Sequence, residues 1–348
     1  MPINKIDPGR IETDRLLAEI ENEVRKVYRQ AAKEVGDKVR DYFKRFKKKD
    51  DTKRDQLRRG IITQQAYNEW RKGQLLVGQR WIDMREQLAA DMANADRIAY
   101  SIVNGCMPEA YAVSHNYATF EVESGSLIDT SYTLYNREAV ERLLLKNPDM
   151  LPAANPKRIY VERVANYNKK LQSSVMQGIL QGESIPEIAN RIQDSTYANH
   201  RKAIMYARTA MTGAENAGHE DAYKRAVGKG IKMRQTWLAT LDGRTRHEHR
   251  ILDGETVDVG QKFSNGLEFP GDPKGEPSQV YNCRCRLIAQ IKGFERNLTD
   301  LSIRRSDKLN DMSYEQWKNS KTSYSDKLTK PEKIADIMRR KYIAEYRK

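Results

Sequence analysis

The chain has 348 residues, more than the ~150 of an average domain, so its length predicts two domains or one elongated assembly and excludes a single small scaffold. Lys and Arg number 62 against 48 Asp and Glu, and the net charge of +14 favours polyanionic partners over acidic ones. Hydrophobic residues make up 39% and charged residues 32%, which excludes an intrinsically disordered chain.

Membrane insertion and secretion have no support in the sequence. No apolar run approaches the ~18 residues that a spanning helix needs, and the N-terminal segment lacks the apolar stretch of a signal peptide. The three cysteines, Cys106, Cys283 and Cys285, are an odd number without a secretory signal. We therefore expect a protein that folds in cytoplasm, has no membrane span and keeps its thiols reduced.

The first hundred residues predict two long amphipathic helices. Apolar residues recur three or four apart from Leu16 to Phe46, as on one face of a helix, and a second periodic segment extends from Ala66 to Tyr100 after a break at Gly60. Between them lies a basic run that we interpret as a helix end leading into an exposed connection, with the two helices antiparallel if that connection is a turn. The basic run comprises Lys44, Arg45, Lys47, Lys48, Lys49, Lys53, Arg54, Arg58 and Arg59.

The basic run admits two interpretations. Its positive charges could neutralise DNA phosphates, with an affinity that falls steeply as salt rises. The other interpretation is a solvated helix face that binds nothing. No interleaving of aromatic and basic residues supports sequence-specific recognition.

The sequence pattern in the middle of the chain changes twice, from helical to irregular and back to helical. Glycines and prolines punctuate residues 101–155, which predicts an irregular connecting region with one short helix near Arg137 to Lys146 and a strand or hairpin at residues 118–122. Helical periodicity returns from Ile159 to Gly182. Ser184 is then the predicted N-cap of the next helix, with Glu187 three residues later and Pro186 in the first turn, and helices continue to Val227.

Residues 231–292 are rich in turns and favour β-structure, with a predicted strand at Thr236 to Thr240. The last 56 residues again have a helical and basic pattern. The predicted fold class is α+β and predominantly α: an elongated N-terminal and central helical region, a small turn-rich C-terminal domain with β-structure, and a basic helical tail. The predicted divisions are 1–110 for the long helices, 111–158 for the connecting region, 159–292 for the turn-bearing domain and 293–348 for the tail.

A candidate metal site lies within this turn-rich domain. Cys283 and Cys285 are separated by one residue, and together with His249 and Asp242 they offer ligands that could close a tetrahedral zinc site. A second C-x-x-C or a pair of histidines, the usual other half of such sites, is missing. The alternative is a pair of reduced cysteines that pack in a strand.

Other chemistry is less well supported by the sequence. Asp242, Glu248 and His249 are residue types of general acid–base catalysis, and either cysteine could be a nucleophile, so a metal-dependent nuclease or toxin is one alternative function. Nearby arginines explain the two carboxylates more easily, as charge partners that fix the turns. No phosphate-binding loop, dinucleotide-binding motif or H-E-x-x-H motif occurs. The remaining histidines, His115, His200 and His219, are predicted to be surface or capping residues.

The turn-rich domain resembles the phage Mu F-like minor head protein family. The matching pattern is W-x-x-x-x-D-x-R-T-R-x-x-H, a D-G turn, a proline-rich stretch and a closing N-C-R-C, and it extends over roughly residues 160–290. In the helical lead-in, Arg208, Thr209, Asn216 and Gly218 also fit the family. The family's recurrent residues fall here on Trp237, Asp242, Arg244, Arg246, His249, Gly254, Asn282, Cys283 and Cys285.

This resemblance implies a virion protein of a tailed bacteriophage that attaches to the portal or the head interior and acts in head morphogenesis or genome delivery. We assign the recurrent residues a structural role and expect no enzymatic activity. The candidate cofactor remains the one zinc ion suggested by the ligand types. The expected partners are the portal protein, head subunits and, non-specifically, packaged DNA. The expected location is the head near the portal vertex, after assembly in host cytoplasm. A general DNA-binding protein is a further alternative.

The resemblance also suggests a docking surface. Proteins that assemble on a portal ring need exposed apolar helix faces, and the stripe from Leu16 to Phe46 could supply one.

Overall fold

A computed structural model of the chain describes residues 7–75, 79–294 and 304–321. The described residues are mainly helical with two small antiparallel sheets, which confirms the predicted fold class. The chain divides into two compact units. The site unit comprises Met1–Glu21, Ile102–Ala153 and Met205–Lys348, and the helical unit comprises Asn22–Ser101 and Ala154–Ile204.

Ten helices and five strands lie within the described ranges. The helices are α1 (Pro8–Arg58), α2 (Gln64–Leu75), α3 (Gln79–Ser126), α4 (Arg137–Lys146), α5 (Pro156–Leu180), α6 (Ile185–Ala198), α7 (His200–Gly228), α8 (His247–Ile251), α9 (Pro277–Val280) and α10 (Tyr314–Ser320). The strands are β1 (Ile128–Asp129), β2 (Ile231–Leu238), β3 (Thr256–Asp258), β4 (Arg286–Phe294) and β5 (Arg304–Arg305). Short 3-10 turns occupy Pro148–Met150 and Asp307–Asn310.

Apolar residues of α1, α3, α5 and α6 form the core of the helical unit. Within it α1 and α3 are antiparallel, because Lys38 bonds to Asp91 at 2.6 Å while Phe43, further along α1, stacks on Trp81, earlier in α3. Buried Asp96 accepts hydrogen bonds from tyrosines on α1 and α5. The central members of this core are Val35, Val39, Phe43, Leu88, Ala93, Leu171, Val175, Ile188 and Ile192.

The apolar stripe of α1 is not a free surface. Most of its members are buried inside the protein, for example Leu16 at 1% and Val35 at 0% exposure. The proposed docking face from Leu16 to Phe46 is therefore wrong, since intramolecular packing already covers it. The basic run that follows is also not a connection, because α1 continues through it to Arg58 and turns only after Gly60.

Helix α3 replaces much of the predicted connecting region. It continues to Ser126, so the strand predicted at residues 118–122 and the irregular structure predicted for residues 101–126 are wrong. Almost every side chain from Ser114 to Phe120 is buried. A helix buried on all sides has no polar face and so lacks the period of 3.6 residues on which the prediction depends.

Two local predictions are confirmed. Helix α4 spans Arg137–Lys146, and its N-cap Asn136 accepts a hydrogen bond from the backbone N–H of Ala139. Helix α6 begins with a capping box in which Ser184 and Glu187 bond to each other's backbone N–H groups.

The larger sheet of the site unit has the order β3-β2-β4, and both pairings are antiparallel. A second sheet consists of β1 and β5, which are also antiparallel. Strand β2 alternates buried and exposed side chains, as expected for a sheet with one face on the core. Helix α7 packs closely against α3 in this unit: a Cβ atom on Gly218 would lie 2.6 Å from the Tyr111 carbonyl oxygen. Only glycine fits there without moving one backbone.

The described C-terminal residues 304–321 pack within the site unit. Trp317 on α10 is fully buried among Tyr117, Phe120 and Leu134, and its indole N–H donates to Glu123 at 2.7 Å. Residues 322–348 of the predicted basic tail lie outside the described residues, and the predicted domain divisions stay a prediction. No helix among the described residues is long and apolar enough to cross a membrane.

Candidate metal centre

Two short segments carry the candidate ligands. His249 lies on α8, a single turn of helix that follows the loop with Arg244 and Arg246. Cys283 and Cys285 lie in the loop that leads into β4. Asn282 bends this loop with a φ of 54°, a left-handed conformation that asparagine tolerates better than most residues. The bend precedes the two cysteines directly.

The structure brings three of the four predicted ligands together. The Nδ1 atom of His249 lies 3.4 Å from the Cys285 sulfur and 3.7 Å from the Cys283 sulfur, and all three ligand atoms lie within 4.8 Å of one another. Each of the three residues is 2% exposed. The site is therefore a closed cluster of two thiols and one imidazole beneath the surface.

Asp242, the fourth predicted ligand, is engaged elsewhere. Arg284 donates to both of its carboxylate oxygens, at 2.7 Å to Oδ1, and the backbone N–H of Arg244 donates to Oδ1 at 2.8 Å. The bonds from Arg284 hold the pKa of Asp242 well below its usual range. The carboxylate fixes the turn, in line with the structural alternative drawn from the sequence.

A polar stripe on α7 holds the cysteine loop in place. Thr209 accepts a hydrogen bond from the backbone N–H of Asn282, and Thr212 donates to the Cys283 carbonyl at 2.9 Å. Asn216 donates to the Cys285 carbonyl at 3.2 Å and accepts from the Leu287 N–H at 2.7 Å. His219 then donates from Nδ1 to the Leu287 carbonyl at 2.9 Å. The α7 polar stripe is Thr209, Thr212, Asn216 and His219.

The carbonyl between the two cysteines is bound from the other side. Thr240 donates to the Arg284 carbonyl oxygen at 2.7 Å. Hydrogen bonds from side chains therefore engage all three carbonyls of the segment Cys283 to Cys285. Such a fully bonded segment holds its side chains in one arrangement.

The two thiols differ in their electrostatics. A hydrogen bond from Cys283 lowers the pKa of Cys285, and the nearby imidazole of His249 lowers it further. The same thiol–thiol bond, together with burial, raises the pKa of Cys283. Of the two sulfurs, Cys285 therefore has the greater thiolate character.

The other recurrent motif residues surround the cluster. Trp237 is fully buried on β2, and its ring meets that of His249 edge-on at 5.4 Å. Gly254 has a φ of 80° in the turn before β3, where its N–H donates to the Trp237 carbonyl. Arg246 donates to the Tyr281 carbonyl, whereas the Arg244 side chain is 79% exposed.

Among the described residues, most of those that the alternative enzymatic function would use lie apart from one another. Glu248 points to solvent on α8, while Asp242 is bound by Arg284 and the two cysteines are buried. Among the described residues, only His249 and the cysteine pair of that set meet.

The predicted DNA-binding residues lie on the C-terminal third of α1. Arg54 donates to the Gly182 carbonyl and Arg59 pairs with Asp55. Lys53 is half-buried and Arg58 is exposed. Exposed lysines that share one stretch of this helix are Lys44, Lys47, Lys48 and Lys49.

Sequence reasoning missed part of the site. Thr212 and His219 were not singled out as contacts of the cysteine loop, although their spacing of three or four from Thr209 and Asn216 places all four on one helix face. His115 and His219, expected at the surface or as caps, are instead buried at 0% and 1% exposure. His200 does bond a backbone carbonyl, that of Tyr197 at the junction of α6 and α7.

Comparison with known proteins confirms the family resemblance. Residues 169–288 match the family model described as "Phage Mu protein F like protein", a range that contains α6, α7, the candidate metal ligands and the start of β4. A curated relative is the "Minor head protein GP7" of Bacillus phage SPP1, 24% identical over 80% of this chain and 85% of that protein.

Two further relatives match a smaller share of their own length. The "NAD(+)--arginine ADP-ribosyltransferase EFV" of Enterococcus faecalis is 28% identical over 61% of this chain, and the match spans 43% of that protein. An uncharacterized protein of Haemophilus influenzae is 27% identical over 57% of this chain and 40% of its own length. The chain thus spans less than half of these two relatives. No solved structure matches.

Proposed function

We propose that this chain is a minor head protein of a tailed bacteriophage, incorporated in the virion head and acting in head morphogenesis or genome delivery. The observation that carries the proposal is the alignment with the SPP1 minor head protein, which covers 80% of this chain and 85% of that protein. The match to the Phage Mu F-like family supports it independently, since it falls on the α7 polar stripe and the cysteine loop.

The chemistry of the matched domain supports a structural role for the recurrent residues. Asp242 fixes a turn through Arg284, and Trp237 and Gly254 shape the sheet and the turn beside it. These residues contact the protein's own turns, rings and side chains, which is what residues that stabilise a fold do.

Attachment near the portal vertex, after assembly in host cytoplasm, is the finer part of the proposal. Because the α1 stripe is buried, contact with portal or head subunits has to use other side chains. Large apolar residues exposed in the described part of the helical unit are Ile61, Ile82, Val161 and Leu180. They are the first positions to probe for docking.

Chemical cross-linking of purified, DNA-filled heads tests both levels of the proposal. We expect lysines of this chain to cross-link to the portal protein, identified by mass spectrometry of the joined peptides. Cross-links to the major shell protein alone would contradict a position at the portal, but they would still agree with a role of this chain in the head. Absence of this chain from the heads would show that it is not a head protein.

Packaged DNA is the proposed polyanionic partner of the α1 basic run. We expect glutamine at the four exposed lysines to weaken duplex binding, and to reduce the slope of log affinity against log salt by about 3.6, because each phosphate contact contributes ~0.9. Fluorescence anisotropy at several salt concentrations measures both quantities. The four substituted positions are Lys44, Lys47, Lys48 and Lys49.

A control variant removes the same charge from scattered sites. It carries glutamine at four exposed lysines on other elements, and it should keep most of the slope. Equal losses in both variants would show that net charge alone, and not the run on α1, attracts DNA. The control positions are Lys157, Lys169, Lys262 and Lys308.

An enzymatic role is the competing function, because one relative is named as an arginine ADP-ribosyltransferase. The match leaves more than half of that protein unaligned, and its named activity belongs to that protein as a whole. Incubation of the purified chain with labelled NAD(+) and an arginine-bearing acceptor distinguishes the two proposals. A purely structural protein should transfer no label above a no-protein control, and time-dependent transfer would contradict that role.

A further inference from the structure

We infer that His249, Cys283 and Cys285 bind one zinc ion through Nδ1 of the imidazole and the two thiolate sulfurs. The inference depends on the geometry and chemistry of the cluster and is independent of the proposed role in the phage head. It assigns a site of three protein ligands, with the fourth coordination position open to water or another small ligand.

The distances match those of a tetrahedral zinc site. With Zn–S of ~2.3 Å and Zn–N of ~2.0–2.1 Å, tetrahedral angles place a sulfur and a nitrogen ligand about 3.6 Å apart. The observed separations from His249 Nδ1 are 3.4 Å to Cys285 and 3.7 Å to Cys283. Both His–Cys separations therefore fit a zinc ion bound between these atoms, and the two sulfurs lie within 4.8 Å of each other.

A hydrogen-bonded cluster without metal accounts less well for this arrangement. Nδ1 of a neutral imidazole carries either one lone pair or one proton, so it can form one well-aligned hydrogen bond with a sulfur and not two. Yet both sulfurs approach the same nitrogen from within the buried site. Convergence of three donor atoms on one point is the arrangement that a metal ion requires.

The charge and type of the ligands favour zinc. A divalent ion with two thiolates and one neutral imidazole has no net charge, so it can lie in a site whose three residues are each 2% exposed. Thiolate and imidazole ligands select zinc over magnesium or calcium, which prefer oxygen. Asp242 is not included because Arg284 holds both of its oxygens.

The protein holds the ligands in place before any metal arrives. Side chains two residues apart in an extended segment lie on the same face, so Cys283 and Cys285 point the same way. The α7 polar stripe and Thr240 bind the three carbonyls of this segment. Trp237 packs edge-on against the His249 ring at 5.4 Å and fixes its plane.

Zinc at this site would join α8 to the cysteine loop. The two are 34 residues apart along the chain, and the intervening segment consists mostly of turns. A metal link across such a segment reduces the freedom of the unfolded chain and adds binding energy to folding. We therefore expect bound zinc to raise the melting temperature of the whole chain.

Metal titration of the full-length, reduced protein tests the inference. We expect one equivalent of zinc by elemental analysis and, with cobalt(II) in its place, a thiolate-to-cobalt charge-transfer band in the near ultraviolet. The variant Cys283→Ser/Cys285→Ser should lose the band and the bound equivalent. The control Cys106→Ser, at a buried cysteine outside the cluster, should keep both.

The design remains decisive if the double variant does not fold. X-ray absorption at the zinc edge of the wild-type protein should then show two sulfur neighbours at ~2.3 Å and at least one nitrogen neighbour. Failure of the folded wild-type protein to bind zinc or cobalt would overturn the inference. So would a bound ion without sulfur neighbours, or equal binding by a folded double variant, since either would mark an adventitious site elsewhere.

Discussion

Replacement of Asn216 with alanine is expected to lower the free energy of unfolding by about 4 kcal/mol, because the loss of partners for buried backbone groups costs ~1–3 kcal/mol each. In the native protein Asn216 is fully buried, donates to the Cys285 carbonyl and accepts from the Leu287 N–H. Alanine leaves both backbone groups without this partner at the start of β4. Urea denaturation followed by circular dichroism measures the change.

Two matched variants show whether the effect comes from the α7 polar stripe. Thr212→Val removes one hydrogen bond, to the Cys283 carbonyl, and should cost about 1–2 kcal/mol. Asn190→Ala, at an exposed position on α6, should change stability by less than ~0.5 kcal/mol. If Asn216→Ala were as stable as Asn190→Ala, the stripe would not hold the cysteine loop.

The variant His219→Gln is expected to make stability less sensitive to acid. Burial lowers the pKa of His219 from 6.5 to about 4, and the bond from Nδ1 to the Leu287 carbonyl opposes this shift only in part. The other ring nitrogen, Nε2, has no hydrogen-bond partner among the described residues. The unfolded chain therefore binds a proton near pH 6.5 that the folded chain resists until about pH 4. This group's contribution is present above pH 6.5 and is lost as the pH falls through that window.

The expected loss is large enough to measure. A difference of ~2.5 pKa units corresponds to about 3 kcal/mol. Between pH 6.5 and about 4, wild type should therefore lose about 3 kcal/mol more stability than His219→Gln. Burial raises the pKa of Glu215 to about 7, and this group therefore increases stability as the pH falls. Because the two effects oppose each other in wild type, the prediction concerns the difference between wild type and the variant. The control His247→Gln, at an exposed histidine, should leave the shape of the curve unchanged. A wild-type curve parallel to that of His219→Gln would contradict the prediction.

Sequence patterns predict helices well where one face is polar. The α1 stripe, α4 and the capping box of α6 follow from local periodicity and capping chemistry, which short-range contacts dictate. The continuation of α3 to Ser126 does not follow, because residues packed on all sides have no alternating polar face. The basic run was also misinterpreted, since lysines on an exposed helix face and in a connection look alike in sequence.

The sequence predicts the ligands of the candidate site, but it does not predict the α7 residues that hold them in place. Cys283, Cys285 and His249 stand out as chemical types at short spacing, and the structure brings them together. Contacts from α7 join residues about 70 positions apart, and no local pattern indicates such a pairing. The same limit explains the buried apolar stripe of α1, because sequence identifies an apolar face without identifying what covers it.

Quantitative mass spectrometry of purified DNA-filled heads tests the central claim most directly. Heads would be compared between the phage that encodes this chain and a deletion of its gene, complemented by wild type or by Asn216→Ala. We expect the wild-type chain in these heads, and less of it when Asn216→Ala destabilises the fold. Heads that contain none of the wild-type chain, while the phage assembles and infects normally without its gene, would contradict a role as a minor head protein.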